Sequence, residues 1–200
     1  YTIVGNKVSE VSMKRLESKT ALINGLLSQF IKDHKLSPDY IETALTWFIP
    51  LANKISLHQS SANRPILIGV NGCQGSGKST LTALLTILLN EVFDKSTIGF
   101  SIDDFYLSKQ QRNGLSKSIH PLFKTRGAPG THDLGLLEKS IARLLAGKNV
   151  TLPVFNKAID DLEPMSNWVQ VHKSHKIIIL EGWCVGIDSQ EQHELVEPAN

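Results

Sequence analysis

The sequence predicts an α/β fold, a mainly parallel sheet flanked by helices and preceded by a helical segment. Three observations carry that expectation. Ile66-Leu67-Ile68-Gly69-Val70 and Lys176-Ile177-Ile178-Ile179-Leu180 are short apolar runs rich in branched residues, as buried strands require. Between them, leucines and isoleucines recur at helical spacing. A glycine-rich turn joins the first run to the first of those helices, so strands and helices alternate.

Residues 1–63 form the helical segment. Met13, Leu16, Thr20, Ile23, Leu27 and Phe30 step by three and four, laying one stripe along a helix. Ser37-Pro38 reads as an N-cap followed by proline, and Ile41, Ala44, Leu45 and Phe48 continue the period. Pro50 is expected to kink or end that helix, with Leu51 and Ile55 in a further short one. Residues 59–63 are polar and read as a linker.

The second unit spans 64–200. Its first strand is the 66–70 run, expected to be buried on both faces. Leu81, Leu84, Leu85, Leu88 and Leu89 follow as a helix, and residues 97–102 as a strand ending in Asp103-Asp104. Residues 108–131 read as a long surface excursion around the active edge. Leu134, Leu137, Ile141 and Leu144 form an amphipathic helix closed by Gly147, and residues 150–152 a short strand. The 176–180 run ends in Glu181-Gly182.

Composition narrows the function. At 200 residues, 41% hydrophobic and 20% charged, the chain is that of an ordinary globular domain. Lys plus Arg at 21 against Asp plus Glu at 19 argues against an electrostatic nucleic-acid binder. No apolar run approaches the ~18 residues of a membrane helix. No nucleic acid and no membrane is therefore expected as partner; the expectation of a small-molecule substrate rests on the motifs that follow. Two cysteines, Cys73 and Cys184, fit a reducing, cytoplasmic setting. The chain begins at Tyr1, so it is expected to be trimmed at its front.

Gly72-Cys73-Gln74-Gly75-Ser76-Gly77-Lys78-Ser79 fits the phosphate-loop pattern G-x-x-x-x-G-K-[ST], and Thr80 follows. The glycines let successive backbone N–H groups turn inward toward phosphate oxygens. A helix opening at the same place adds the positive end of its dipole. Lys78 brings a point charge to the β- and γ-phosphates, and the Ser79 hydroxyl is a ligand for Mg²⁺. ATP and Mg²⁺ are the expected cofactors, and the fold is of the P-loop NTPase type.

The acids at the other strand ends point to the reaction. Asn156-Lys157-Ala158-Ile159-Asp160 is one residue too long for a guanine-reading N-K-x-D motif. Glu181 is followed by glycine rather than by a second acid, so it serves Mg²⁺ without a base for hydrolysis. Asp103 stands where a base would take the proton of an attacking hydroxyl. An Asp103-Asp104 pair capping the next helix is the alternative. The chemistry read here is transfer to a small acceptor.

Several strings now add up to a resemblance. Ile68-Gly-Val-Asn-Gly-Cys-Gln-Gly-Ser-Gly-Lys-Ser-Thr80, Ser101-Ile-Asp-Asp-Phe-Tyr106, His120-Pro-Leu, Arg126-Gly-Ala-Pro-Gly-Thr-His-Asp133, Pro153-Val-Phe-Asn-Lys157 and Ile179-Leu-Glu-Gly-Trp183 resemble the D-glycerate 3-kinase family. More distantly they resemble uridine kinase, phosphoribulokinase and bacterial-type pantothenate kinase. The resemblance implies Asp103 as catalytic base, Lys78 and Ser79 on phosphate and metal, and Glu181 as the metal-associated acid. It implies that the 126–133 and 153–160 stretches line the acceptor pocket. Glycerate is a carboxylate, for which a bidentate guanidinium is the best partner, so Arg126 is the leading acceptor and catalytic residue. Lys157, Thr131, His132, Asp104 and Tyr106 complete the expected acceptor-binding set.

Such kinases continue well past Glu181, and the chain is expected to lack the C-terminal part of the family fold. Other acceptors, such as a nucleoside or a pantothenate-like alcohol, stay open, as does a nucleotide-binding regulator with vestigial catalysis. His172 and His175 read as solvated loop rather than as zinc ligands. Cys184 is expected to be buried, and Trp47, Trp168 and Trp183 to sit in core or pocket wall.

Overall fold

A computed structural model of the chain describes residues 10–188. Three helices open it, α1 (Glu10–His34), α2 (Tyr40–Thr43) and α3 (Ile49–Ala62). The predicted stripe of α1 is buried at Leu27 and Phe30, while the side chains of Met13 and Leu16 lie outside the described ones. Pro50 does not break the helical run. A π-helical turn over Ala44–Phe48 leads directly into α3 and leaves Pro50 in its first turn, where a missing N–H costs least. Nor are residues 59–63 a linker: α3 reaches Ala62, Gln59 is buried, and Asn63 closes the helix at φ 49°.

Strand β1 (Ile66–Asn71) and helix α4 (Lys78–Ile87) come next, followed by β2 (Thr97–Ser101), α5 (Lys109–Ser118) and α6 (Leu134–Leu145). Four short strands, β3 (Val150–Leu152), β4 (Phe155–Asn156), β5 (Asp161–Leu162) and β6 (Val169–Val171), precede β7 (Ile177–Gly182). The main sheet is parallel, in the order β1-β7-β2. Two small antiparallel pairs, β3 with β6 and β4 with β5, stand apart from it.

That order corrects one expectation. The strand buried on both faces is β7, every residue of which is buried, because it lies between the other two. In β1 burial alternates, and Leu67 is exposed, since β1 has a paired neighbour on one side only. Side chains of β7 go alternately to opposite faces. Ile177 and Ile179 pack with Leu27, Phe30, Ile55, Leu84 and Leu88, so α1 and α3 share their core with α4 and the sheet. Ile178 and Leu180 pack with Phe100, Phe105, Leu137 and Leu144 on the other face.

The 108–131 excursion is more ordered than its composition implies. Ser108 and Gln111 form a reciprocal capping box that starts α5, and a 3₁₀ turn covers Pro121–Lys124. Asp103 and Asp104 therefore cap nothing there. Trp47 is exposed rather than core, and Cys184 is only half-buried. Among the described residues no helix is long and apolar enough to cross a membrane.

Candidate active site

Parallel pairing brings the carboxyl ends of the three strands to one edge. Val70 pairs with Glu181 and Asn71 with Gly182, while Ser101 on the other side also faces Glu181. In such sheets that edge is where ligands bind. A cleft of about 1300 Å³ opens there, lined by Gly72, Lys78, Asp103, Arg126, Lys157 and Glu181 among others.

The loop after β1 has the backbone its glycines foretell. Gly75 and Gly77 take φ of 78° and 85°, a region where a side chain would be strained. A Cβ on Gly72 would come within 2.8 Å of Ser76 Oγ, so a larger residue there would have to displace that hydroxyl. Gly77 caps α4 with no side-chain acceptor, which keeps the first-turn N–H groups for the loop. Lys78 Nζ donates to the Cys73 carbonyl at 2.8 Å, so its ammonium lies across the mouth of the curl. Ser79 Oγ donates to Glu181 Oε1 at 2.8 Å. Glu181 itself is buried, and a buried carboxylate beside a hydroxyl is a hard-oxygen pair of the kind Mg²⁺ takes. Curl, ammonium and oxygen pair all fit a magnesium-bound nucleoside triphosphate.

Across the cleft, Ser101 Oγ accepts from the Asp103 N–H and starts a 3₁₀ turn that presents the Asp103 carboxylate. Lys157 Nζ donates to Asp103 Oδ2 at 2.7 Å. Tyr106 is buried beneath, with Asp103 and Trp183 beside its hydroxyl. Burial first, then the Asp103 charge, pushes the phenol up to about 12, so it stays a neutral O–H. Arg126 Nη1 donates to Asp160 Oδ1 at 2.5 Å. Asp160 is also paired with Arg112, and these guanidinium bonds outweigh burial to hold its carboxyl below the usual range.

Three expected acceptor residues stand outside this cleft. Asp104 Oδ1 accepts from the Phe155 N–H at 3.3 Å, and burial raises its pKa, so it anchors β4. Thr131 is fully buried, its hydroxyl spent on the Ala128 carbonyl at 2.6 Å. His132 stacks on Tyr106 at 4.1 Å between ring centroids, and its buried Nε2 has no partner. Burial lowers its pKa and keeps the ring neutral. Lys124 lines the cleft without having been singled out, while Asp160, the last residue of the expected 153–160 stretch, and Trp183 line it as well.

The comparisons with known proteins decide the family. The model of the phosphoribulokinase / uridine kinase family matches residues 67–197. The chain belongs to that family. A chloroplastic D-glycerate 3-kinase of Arabidopsis thaliana is 32% identical over 154 residues, covering 70% of this chain and 34% of its own. A pantothenate kinase of Streptococcus mutans is 31% identical over 134 residues, 67% of this chain and 42% of its own. In structure, D-glycerate 3-kinase from Cryptococcus neoformans superposes with a TM-score of 0.63 at 28% identity, over 74% of this chain and 56% of that one. The chain thus spans between a third and a half of these curated relatives, all of them kinases by name. It carries the P-loop part of the family fold, a parallel sheet flanked by helices.

Proposed function

We propose that this cleft transfers the γ-phosphoryl group of ATP to a hydroxyl of D-glycerate, giving 3-phosphoglycerate. The observation that carries the reading is one cleft with the Lys78 ammonium and the Ser79–Glu181 pair on one side, and the Asp103 carboxylate beside Arg126 and Lys157 on the other. Phosphoryl transfer needs little covalent help from a protein; positioning and charge complementarity do most of it.

The loop amides and Lys78 hold the phosphate oxygens. Ser79 and Glu181 would hold Mg²⁺, which would supply positive charge against the phosphates. Asp103 accepts the proton of the attacking hydroxyl. Lys157 holds its Oδ2, and the Tyr106 hydroxyl lies beside the same carboxylate. Arg126 uses only Nη1 on Asp160, and among the described residues its Nε and Nη2 carry no hydrogen bond. A guanidinium with two adjacent donors suits a carboxylate. D-Glycerate, a small hydroxy acid, meets both requirements, and the glycerate kinase relatives support it.

The pantothenate kinase relative supports a second acceptor that also carries a carboxylate and an alcohol. A panel of D-glycerate, pantothenate, uridine and ribulose 5-phosphate, assayed with ATP and Mg²⁺ by ADP release, tests the reading. Stimulation by D-glycerate above the others supports it. Stimulation by pantothenate alone moves the acceptor, and stimulation by none of them removes kinase activity from this chain.

A further inference from the structure

Arg112 is fully buried, the largest side chain that is so among the described residues, and it lines no part of the cleft. An isolated guanidinium in that position would be costly, so its partners matter. Nε donates to the Leu107 carbonyl at 3.1 Å and Nη1 to the Lys124 carbonyl at 3.0 Å. Nη2 donates to the Asp160 carbonyl at 2.6 Å and lies 3.0 Å from Asp160 Oδ2. These acceptors belong to three separate stretches. Leu107 adjoins the turn that carries Asp103 and Tyr106. Lys124 is two residues before Arg126. Asp160 ends the turn that carries Lys157, and it sits there in the left-handed region at φ 56°, a conformation that asks for outside support.

We propose that Arg112 is a positioning residue for acceptor recognition, acting through Asp160 on Arg126 and on the Lys157 turn. This rests on the acceptor reading above. One guanidinium joins the base turn, the arginine segment and the lysine turn, and Asp160 passes the constraint on by holding Arg126 with its second oxygen. The cations that meet the acceptor are thereby fixed before it arrives, which lowers the ordering cost of binding. A lysine has a single nitrogen and cannot reproduce the three-way fork.

The test compares the full chain with Arg112→Lys and Asp160→Asn by two readouts. In steady-state kinetics, KM for D-glycerate is expected to rise about tenfold or more in both variants, with KM for ATP within about twofold. In the second readout, a dicarbonyl reagent modifies arginines and the Arg126 peptide is followed by mass spectrometry, which needs no turnover. Arg126 is expected to react several-fold faster in both variants. An unchanged D-glycerate KM together with unchanged Arg126 reactivity in folded Asp160→Asn overturns the proposal, even if Arg112→Lys fails to fold. If the unmodified chain phosphorylates no acceptor, the acceptor reading falls, and the Arg126 reactivity alone decides whether the clasp exists.

Discussion

Ser79 Oγ and Glu181 Oε1 meet at 2.8 Å, joining the first turn of α4 to the carboxyl end of β7 across more than half of the chain. That contact exists because β1 and β7 are neighbours in register, Val70 opposite Glu181. It places a hydroxyl and a carboxylate where the phosphate curl ends.

Lys78→Ala removes the ammonium at the mouth of that curl. Transfer is expected to fall by about 10²-fold or more, as when a charge-stabilising donor is lost. Stability should move by only about 0.5 kcal/mol, because the Lys78 bond to the Cys73 carbonyl is exposed. Coupled ADP release and urea unfolding on the same preparation check both halves. Retained turnover would exclude Lys78 from the reaction.

Asp103→Asn keeps the shape and removes the proposed base. ATP affinity should be unchanged while kcat drops about 10²- to 10⁴-fold. Isothermal titration with a non-hydrolysable ATP analogue, set beside turnover, separates the two. A normal kcat would mean that the Lys157–Asp103 pair is structural.

Gly182→Ala would drive a Cβ into Ile102 and to within 3.0 Å of Val185, in a strand with no slack on either face. A loss of about 1–3 kcal/mol in urea unfolding is expected. Gly25→Ala, within α1 and with nothing near its Cβ, should instead stabilise by about 0.5–1 kcal/mol. Equal effects of the two substitutions would contradict the packing described for β7.

His132 is held neutral by burial, so its folded pKa lies below the unfolded value near 6.5. Between those two values the unfolded chain binds the extra proton. Stability from this group is therefore complete above about pH 6.5 and lost as pH falls through the folded pKa. His132→Phe retains a ring against Tyr106 and cannot titrate. Its stability should depend less steeply on pH below about 6.5. Its KM for D-glycerate should match that of the unmodified chain, because His132 lies outside the cleft. Melting curves at several pH values, with kinetics at neutral pH, read both effects.

Local signals were legible wherever one residue type has one physical job. The glycine curl, the Ser79 hydroxyl and the acids ending β2 and β7 follow from spacing, and the structure brings them to one cleft. Burial of β1 was misjudged because an apolar run does not say which strand lies in the middle of a sheet. The Arg112–Asp160–Arg126 clasp was invisible for a different reason. Its members are far apart in sequence: Arg126 and the stretch ending in Asp160 read as acceptor pocket, whereas Arg112 lies in a polar stretch that reads as surface, and only the fold shows that it is buried. Thr131 and His132 show the converse, since polar residues in a promising string can serve the packing beneath a site.

The central claim is that this cleft passes a phosphoryl group to a hydroxy acid. Phosphorus NMR of the chain incubated with ATP, Mg²⁺ and D-glycerate tests it most directly. The account predicts a phosphomonoester resonance of 3-phosphoglycerate growing as that of the ATP γ-phosphate declines, and absent with Asp103→Asn. Loss of γ-phosphate to inorganic phosphate alone, with D-glycerate left unmodified, would contradict it.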